Sequence, residues 1–302
     1  MSFLVDDDEK YQGIYWNTTI AQIIRKNFVL EDDHLTTHVT IEDALSHRTG
    51  MPRHDFAYGG HFDGHRMTSG DLIRSLRYLP LTAEPRTRAQ YCNMMYVVIS
   101  HIIEKLSGST LGDVIRTRIL EPLGMNSTYF STEDARKSPQ HFAQGYYYSN
   151  GSYYEVPDMY LPEVYGAGFI VSNVLDYTKW IRAMIDQAPP MSKDAHKALR
   201  TPRTLGETTK PYTGITAYTL GWLTGVFQGY EWFGHSGGME AFGAQVIFFP
   251  ALRYGLVAFG NTAMTSNYAE EALIWHLINE RLKVPKNERF DQNKKYTHTS
   301  PN

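Results

Sequence analysis

A stretch rich in histidine and aspartate between residues 50 and 70 carries side chains that could bind a metal ion. Its H-x-x-x-H spacing suits zinc when the segment is helical, because both rings then lie on one helix face. Three glycines in the same stretch disfavour a helix, so the spacing loses its geometric meaning and no metal site is predicted. The candidate ligands are His54, Asp55, His61, Asp63 and His65.

Two other stretches carry reactive side chains that also have plain structural explanations. Tyr91 and Asn93 stand where an amphipathic helix starts, and asparagine is a common N-cap residue. His235 precedes a pair of glycines that could form a turn or a bulge before a strand. Cys92 is not predicted to be a nucleophile, because a reactive cysteine needs a base or a helix terminus to lower its pKa.

A short helix is predicted directly before the loop that contains the histidine- and aspartate-rich stretch. Thr40 and Asp43 form a capping box that starts a helix over residues 41–46. His47 and Arg48 follow it, and we expect them to hold the helix and the next loop together. The loop continues to residue 70, and long loops in compact domains are often functional.

The later elements change in character along the chain. Apolar residues at helical spacing predict helices over residues 93–106 and from about 109 to 120, and Ser172 is expected to cap a third. After residue 210, short apolar runs separated by turns indicate an antiparallel meander. Its strands are predicted over residues 218–226, 231–233, 242–249 and 255–259. The last helix, over residues 268–283, is apolar nearly all round and is expected to be sandwiched against the sheet.

Helices beside a mostly antiparallel sheet predict an α+β architecture. The length of 302 residues and the absence of a low-complexity linker favour one domain over residues 1–283. Within it we expect a helical middle over about 40–200 and the sheet with the last helix over 210–283. Residues 284–302 are expected to form a polar tail.

Composition restricts the possible partners. The 29 basic and 32 acidic residues give a net charge of −3, which lacks the basic footprint of a nucleic-acid-binding protein. One cysteine excludes an intramolecular disulfide, and no apolar run reaches the ~18 residues of a membrane span. The start of the chain lacks signal-peptide features, so a cytoplasmic location is expected for the chain as written, and the location is open if a leader precedes it. We predict a small-molecule or peptide ligand, no cofactor, no nucleic acid and no membrane; the sequence leaves the oligomeric state open.

Several short stretches occur in an order that resembles a known family. The ordered set resembles the serine β-lactamase-related family, also called peptidase S12 or penicillin-binding-protein-like hydrolases, and is most like its fungal members. The resemblance covers about residues 1–283 and implies a β-lactamase/transpeptidase-like fold. The stretches are L-S-H-R-T-G (45–50), Y-C-N (91–93), P-L-G-M (122–125), G-A-G (166–168), L-G-W (220–222) and H-S-G-G (235–238), the last placed between strands.

The resemblance also implies roles for individual residues. In that family S-x-x-K supplies a serine nucleophile and a lysine base, Y-x-N a tyrosine, and K-T-G or H-x-G lies on a sheet strand. Tyr91 would then carry a proton to the leaving group and Asn93 would hold the lysine or the substrate amide. His235 would orient the polar end of the substrate. The implied substrate-binding and oxyanion positions are Ser236, Gly237 and Gly238, with the Gly238 N–H as one donor.

The sequence departs from the family pattern at the nucleophile. No serine or threonine is followed by lysine three residues later. By resemblance that motif lies upstream of residues 2–5, on the buried helix whose end residues 1–5 form. We therefore expect an N-terminally incomplete fold without a nucleophile, and activity close to background, because the parts of such machinery act as a unit.

Three functions remain open at this point. The first is a β-lactamase-related hydrolase or acyltransferase for amides, esters or thioesters of small metabolites or peptides, inactive as this chain. The second is a binding remnant that holds a ligand between Tyr91 and His235 without turnover. The third is a metal-dependent hydrolase built on His54, His61 and His65.

Overall fold

The computed structural model describes residues 1–62, 64–138, 141–158, 161–206, 212, 214–262 and 265–289. Its strands are β1 (His61–Phe62), β2 (His65–Arg66), β3 (Gly145–Ser149), β4 (Ser152–Val156), β5 (Thr204–Leu205), β6 (Ala217–Tyr218), β7 (Leu223–Phe227), β8 (Tyr230–Met239), β9 (Phe242–Phe249) and β10 (Tyr254–Gly260). Strands β5 to β10 form one antiparallel sheet in the order β10-β9-β8-β7-β6-β5, while β1-β2 and β3-β4 form separate hairpins. The α+β architecture with an antiparallel sheet is confirmed.

The sheet corrects two details of the predicted strands. The run over 218–226 is divided between β6 and β7 by a tight turn in which the Thr219 N–H donates to the Trp222 carbonyl and Gly221 has a φ of 98°. That φ lies in the left-handed region, where glycine is least strained. Residues 235–238 lie inside the ten-residue strand β8, and the prediction that they lie between strands is wrong.

Thirteen α-helical segments surround the sheet in the described part of the chain. They are α1 (Ser2–Val5), α2 (Ile20–Ile24), α3 (Asp33–His38), α4 (Ile41–Leu45), α5 (Ser69–Ser75), α6 (Asn93–Ser107), α7 (Leu111–Ile115), α8 (Glu121–Leu123), α9 (Thr132–Lys137), α10 (Tyr165–Gly168), α11 (Val174–Asp186), α12 (Lys193–Arg200) and α13 (Thr265–Arg281). A π-helical segment, Arg116–Leu120, joins α7 to α8. In this described part, no helix combines the length and apolar character needed to cross a membrane.

Caps were predicted for the N-termini of two helices, α4 and α11. The capping box of Thr40 and Asp43 is present at α4, as predicted. Ser172 does not cap α11: the side chain of Asn173 accepts from the Asp176 N–H at 2.9 Å, while the Ser172 hydroxyl bonds to Thr128. Asparagine and serine are comparable N-caps, so sequence alone does not choose between neighbours.

The sheet is covered on both faces, because apolar side chains of its strands point alternately to one face and to the other. Phe233 and Phe248 pack on one face with Ile181 and Met184 of α11. Trp232, Ile247 and Phe249 point to the other face and pack with Ile274, Trp275 and Ile278 of α13. Successive residues of a strand face opposite sides, so β8 and β9 each contribute to both layers. A separate core surrounds α6, which is buried along most of its length.

The end of the domain differs from one prediction and adds contacts at the start of the predicted tail. Helix α13 is not covered all round, because Leu273 remains 52% exposed while Ile274, Trp275 and Ile278 are buried. The predicted polar tail is ordered at its start: Val284 is buried and the Arg289 side chain contacts Glu280 on α13 at 2.6 Å. The rest of the predicted tail, from residue 290, lies outside the described residues.

Candidate functional site

The start of α6 places the Y-C-N stretch. Asn93 is the first helical residue and Cys92 occupies the N-cap position, so the alternative explanation of Asn93 as an N-cap does not apply. The Cys92 N–H donates to Nδ1 of His47 at 3.1 Å. The Asn93 amide donates to Oδ1 of Asp55 at 3.2 Å. His47 therefore joins the segment after α4 to the start of α6, a contact that the sequence did not indicate.

Strand β8 brings His235 to the same region. Its Nδ1 lies 2.6 Å from the Ser236 carbonyl, which can only accept, so this nitrogen carries the proton. Nε2 then accepts from the Tyr218 hydroxyl at 3.0 Å. Burial lowers the pKa of His235, which is therefore a neutral ring with both nitrogens bonded to protein groups.

Five aromatic side chains gather here, and we call them the Tyr91 cluster. The Tyr91 ring centre lies 4.1 Å from that of His47 and 6.1 Å from that of His235. The His47 ring also contacts Tyr218 at 4.6 Å and Tyr96 at 5.1 Å. The fold thus brings together residues separated by almost 190 positions in the sequence. The members are His47, Tyr91, Tyr96, Tyr218 and His235.

His47 is the most deeply buried titratable member of the cluster. Burial, and then the neighbouring His235 and Arg53, lower its pKa to about 3, so it is neutral at physiological pH. Since Nδ1 accepts a backbone N–H, the proton of the neutral ring sits on Nε2. That buried N–H finds no hydrogen-bond partner among the described residues.

Tyr91 is half-buried, and burial raises its pKa. The Arg53 charge opposes this shift, whereas Asp55 adds to it. Tyr91 therefore holds its proton at neutral pH. Between Tyr91 and Asn93, the Cys92 side chain is fully buried, and burial raises its pKa to about 11, which does not suit a nucleophile.

The glycines of β8 lie at an open part of the sheet. Leu223 of β7 pairs with Gly234, and beyond that point the described sheet pairs β8 only with β9. Ser236, Gly237 and Gly238 are exposed there, with Gly238 opposite Gly243. A strand with one unpaired side presents backbone N–H and C=O groups to a ligand. The predicted oxyanion and substrate-binding positions thus lie on an accessible strand edge.

The candidate metal ligands do not converge in the described part of the chain. His54 bonds to the Pro80 carbonyl at 3.0 Å, His65 to Asp71 at 3.1 Å, and Asp55 to Arg53 and Asn93. Among the described residues, no three His, Cys, Asp or Glu side chains are arranged to hold a metal ion. Asp63 lies outside the described residues. The third hypothesis gains no structural support.

Three residues that contact the predicted ones carry no sequence signal for this site. Tyr218 and Tyr96 bond or stack with His235 and His47, and Arg53 lies against the face of Tyr91. Tyr96 lies in the predicted helix over residues 93–106 and Tyr218 in the predicted strand over residues 218–226. Neither pattern indicates a functional role. Arg53 lies in a loop without periodicity, so no spacing rule could have indicated its position.

The chain is similar in sequence to proteins of one family. A family profile described as "Beta-lactamase" matches residues 7–279. The chain is 46% identical over 299 residues to an unguisins hydrolase of Aspergillus campestris and 38% identical over 317 residues to one of Aspergillus violaceofuscus. Each match covers 98% of this chain but 56% of the relative, so the chain spans about half the length of these curated proteins.

Among solved structures, the octameric penicillin-binding protein homologue from Pyrococcus abyssi has a similar fold. It superposes with a TM-score of 0.75 at 24% identity, over 92% of this chain and 63% of that one. At this identity the similarity concerns the fold. It agrees with the β-lactamase/transpeptidase-like architecture expected from the ordered motifs.

Proposed function

The chain belongs to the β-lactamase family, and on that premise we propose that it supplies the tyrosine and histidine part of a hydrolase site for amides, esters or thioesters of small metabolites or peptides. The observation that carries this proposal is the meeting of Tyr91 and His235, with ring centres 6.1 Å apart, beside the open edge of β8. Such a site joins a proton donor to a row of backbone hydrogen-bonding groups.

Tyr91 acts as the proton-transfer residue. A leaving amine or alcohol needs a proton as the acyl bond breaks, and a positioned side chain that gives it contributes about 10²–10⁴-fold in rate. Burial keeps Tyr91 protonated at neutral pH, which suits the donor role. Asn93, two residues after Tyr91, donates its side-chain amide to Asp55.

The strand edge binds the substrate. An extended peptide can pair with an exposed edge through main-chain hydrogen bonds. The exposed N–H of Gly238 supplies a donor for the oxyanion of the tetrahedral intermediate, a contact that costs 10²–10³ in rate when removed. Hydrogen bonds to Tyr218 and Ser236 fix the His235 ring. In this proposal the ring contacts the polar end of the substrate.

The 302 residues contain no Ser-x-x-Lys, and Cys92 is buried and protonated. We therefore propose that this stretch binds substrate but does not form an acyl-enzyme by itself. The names of the two fungal relatives make the unguisins the first substrates to test. Ligand binding without turnover is the second candidate function, favoured by the same missing motif.

A chimera separates these two functions. A segment that carries Ser-x-x-Lys, which the family resemblance places upstream of residues 2–5, is joined ahead of Ser2. Both proteins are treated with a fluorophosphonate probe and an activated ester. We expect no labelling of the 302-residue chain, stoichiometric labelling of the chimera, and ester turnover by the chimera that Tyr91→Phe reduces about 10²–10⁴-fold.

Tyr148→Phe on the exposed β3-β4 hairpin serves as the matched control and should leave turnover unchanged. Stoichiometric labelling of the unextended chain would overturn the proposal that it lacks a nucleophile. A folded chimera that binds an unguisin but neither labels nor turns over would establish the binding function instead.

A further inference from the structure

Arg53 is the charged side chain in contact with the ring of Tyr91. Its guanidinium carbon lies 4.8 Å from the ring centre, within the ~6 Å range of a cation–π interaction. The Arg53 side chain is 58% exposed, so its charge is partly screened by water but remains close to the phenol. No motif that identified Tyr91 includes Arg53.

The loop around Arg53 fixes the position of this charge. The Arg53 Nε–H donates to Oδ2 of Asp55 at 2.7 Å, and Oδ1 of the same carboxylate accepts from Asn93. His54 between them has a φ of 49°, in the left-handed region, and its ring bonds to the Pro80 carbonyl at 3.0 Å. A non-glycine residue holds this conformation only when surrounding contacts enforce it. Arg53 is thus tied through one carboxylate to the start of α6, where Tyr91 lies.

The other titratable groups near Tyr91 or Arg53 are uncharged at neutral pH. They come from the segment after α4, from the loop, from α6 and its N-terminus, and from β6 and β8. Burial lowers the pKa of the two histidines and raises the pKa of the thiol and the phenols. These groups are His47, Tyr58, Cys92, Tyr96, Tyr218 and His235. Arg53 and Asp55 therefore carry the charge that acts on Tyr91.

We propose that Arg53, held by Asp55, is a positioning residue whose positive charge stabilises the phenolate form of Tyr91. This inference deepens the proposed function and rests on it. In the chimera, the serine oxygen bonds to the acyl carbon, the serine proton passes to the lysine of Ser-x-x-Lys, and the departing amine or alcohol takes the phenolic proton of Tyr91. Water then gives a proton to the Tyr91 phenolate while its oxygen bonds to the acyl carbon, and the departing serine regains its proton from the lysine. Between the two transfers the phenolate faces the Arg53 guanidinium.

The test measures ionisation at position 91 directly. Tyr91 is replaced by 3,5-difluorotyrosine, whose fluorines bring ionisation of the phenol toward neutral pH and give a single ¹⁹F NMR signal. Arg53→Gln should raise the titration midpoint by roughly half a pH unit, the effect of one charge about 5 Å away in a water-like dielectric. Arg53→Lys should keep most of the effect. Arg182→Gln, on the exposed face of α11, is the matched control and should change nothing.

A midpoint in Arg53→Gln equal to that in Arg182→Gln would overturn the proposal. Salt gives a second measurement that needs no substitution at Arg53. Molar NaCl should raise the midpoint of the otherwise unsubstituted protein, because it screens an exposed charge; an unchanged or lowered midpoint would also contradict the proposal. The titration needs no turnover, so it can fail while the chimera hydrolyses esters, and it can succeed while the chimera does not.

Discussion

His47 and Arg48 are neighbours in the chain, but their side chains enter two regions built on different principles. Arg48 joins a cluster of charged residues around the buried Asp43, and His47 joins the Tyr91 cluster. The first region, which we call the Asp43 cluster, consists of Glu42, Asp43, Arg48, Arg86 and Arg203. The two clusters differ in the charge of their polar groups and in how completely these groups are paired.

In the Asp43 cluster every charge has an opposite partner. Asp43 is fully buried and accepts from Arg48 at 2.6 Å and from Arg86 at 2.7 Å, while Glu42 pairs with Arg48 and Arg203 at 2.5 and 2.8 Å. Burial alone would raise the pKa of Asp43, but hydrogen bonds from Arg86, Thr40 and Arg48 outweigh it, and the pKa is lowered. The cluster ties α4 to the loop at residue 86 and to the segment before β5.

In the Tyr91 cluster the buried groups are neutral and less completely bonded. Burial lowers the pKa of His47 and His235 and raises that of Tyr91. The buried Nε2–H of His47 lacks a partner among the described residues, which costs about 1–3 kcal/mol of folding free energy. The Asp43 cluster avoids this cost, and the proposed role of the Tyr91 cluster in proton transfer would account for it.

The largest expected effect removes the charge at the centre of the Asp43 cluster. Asp43→Asn keeps the shape but leaves Arg48 and Arg86 beside an uncharged group, and we expect a loss of about 3–5 kcal/mol in the free energy of unfolding. Tyr91→Phe is the control, with an expected loss of less than about 1 kcal/mol. Urea unfolding followed by circular dichroism measures both. Equal losses would mean that the two regions do not differ in their contribution to stability.

The pH dependence of stability gives a second, smaller contrast. The pKa of His47 is about 3 in the folded protein against the ordinary value of 6.5. Between these values the unfolded chain binds more protons, so stability falls as the pH is lowered through this window. From pH 7 to pH 5, His47 should account for a loss of about 2 kcal/mol. Urea unfolding at the two pH values measures it.

The matched variant for this prediction is His47→Gln, which cannot titrate and should lose a smaller part of its stability between pH 7 and pH 5. Because the pKa of Asp43 is lowered in the folded protein, Asp43 stays ionised between pH 7 and pH 5. Its contribution to the free energy of unfolding is lost only when the pH falls through the folded-state pKa of Asp43. An unchanged pH dependence in His47→Gln would show that His47 is already charged or solvated in the folded protein.

The smallest expected effect concerns Cys92, which lies between Tyr91 and Asn93. Burial raises the pKa of its thiol from 9.0 to about 11, which reduces the thiolate fraction about 100-fold at mildly alkaline pH. We expect no detectable iodoacetamide modification of the folded protein and rapid modification in urea, followed by mass spectrometry. Modification of the native chain at the rate seen in urea would show that this part of the cluster opens to solvent.

Periodicity predicted the elements that are long and locally determined. Helix α6 and strand β9 lie where their apolar spacing placed them, because one buried face fixes the period of each. The cap of α11 and the partition of residues 218–226 were wrong, since two adjacent residues can serve as a cap and a turn can interrupt an apolar run. The roles of Tyr91, Asn93, His235, Ser236, Gly237 and Gly238 stay predictions.

The amino-acid sequence by itself determined the α+β class, the order of the family motifs and the absence of Ser-x-x-Lys among these residues, because composition, local period and motif order are properties of the chain. Only the tertiary structure decided that His47 faces Tyr91 while Arg48 faces Asp43, and that Arg53 lies over the Tyr91 ring. These placements depend on contacts between distant segments, whose burial sets the charge of each group, and no local pattern encodes them.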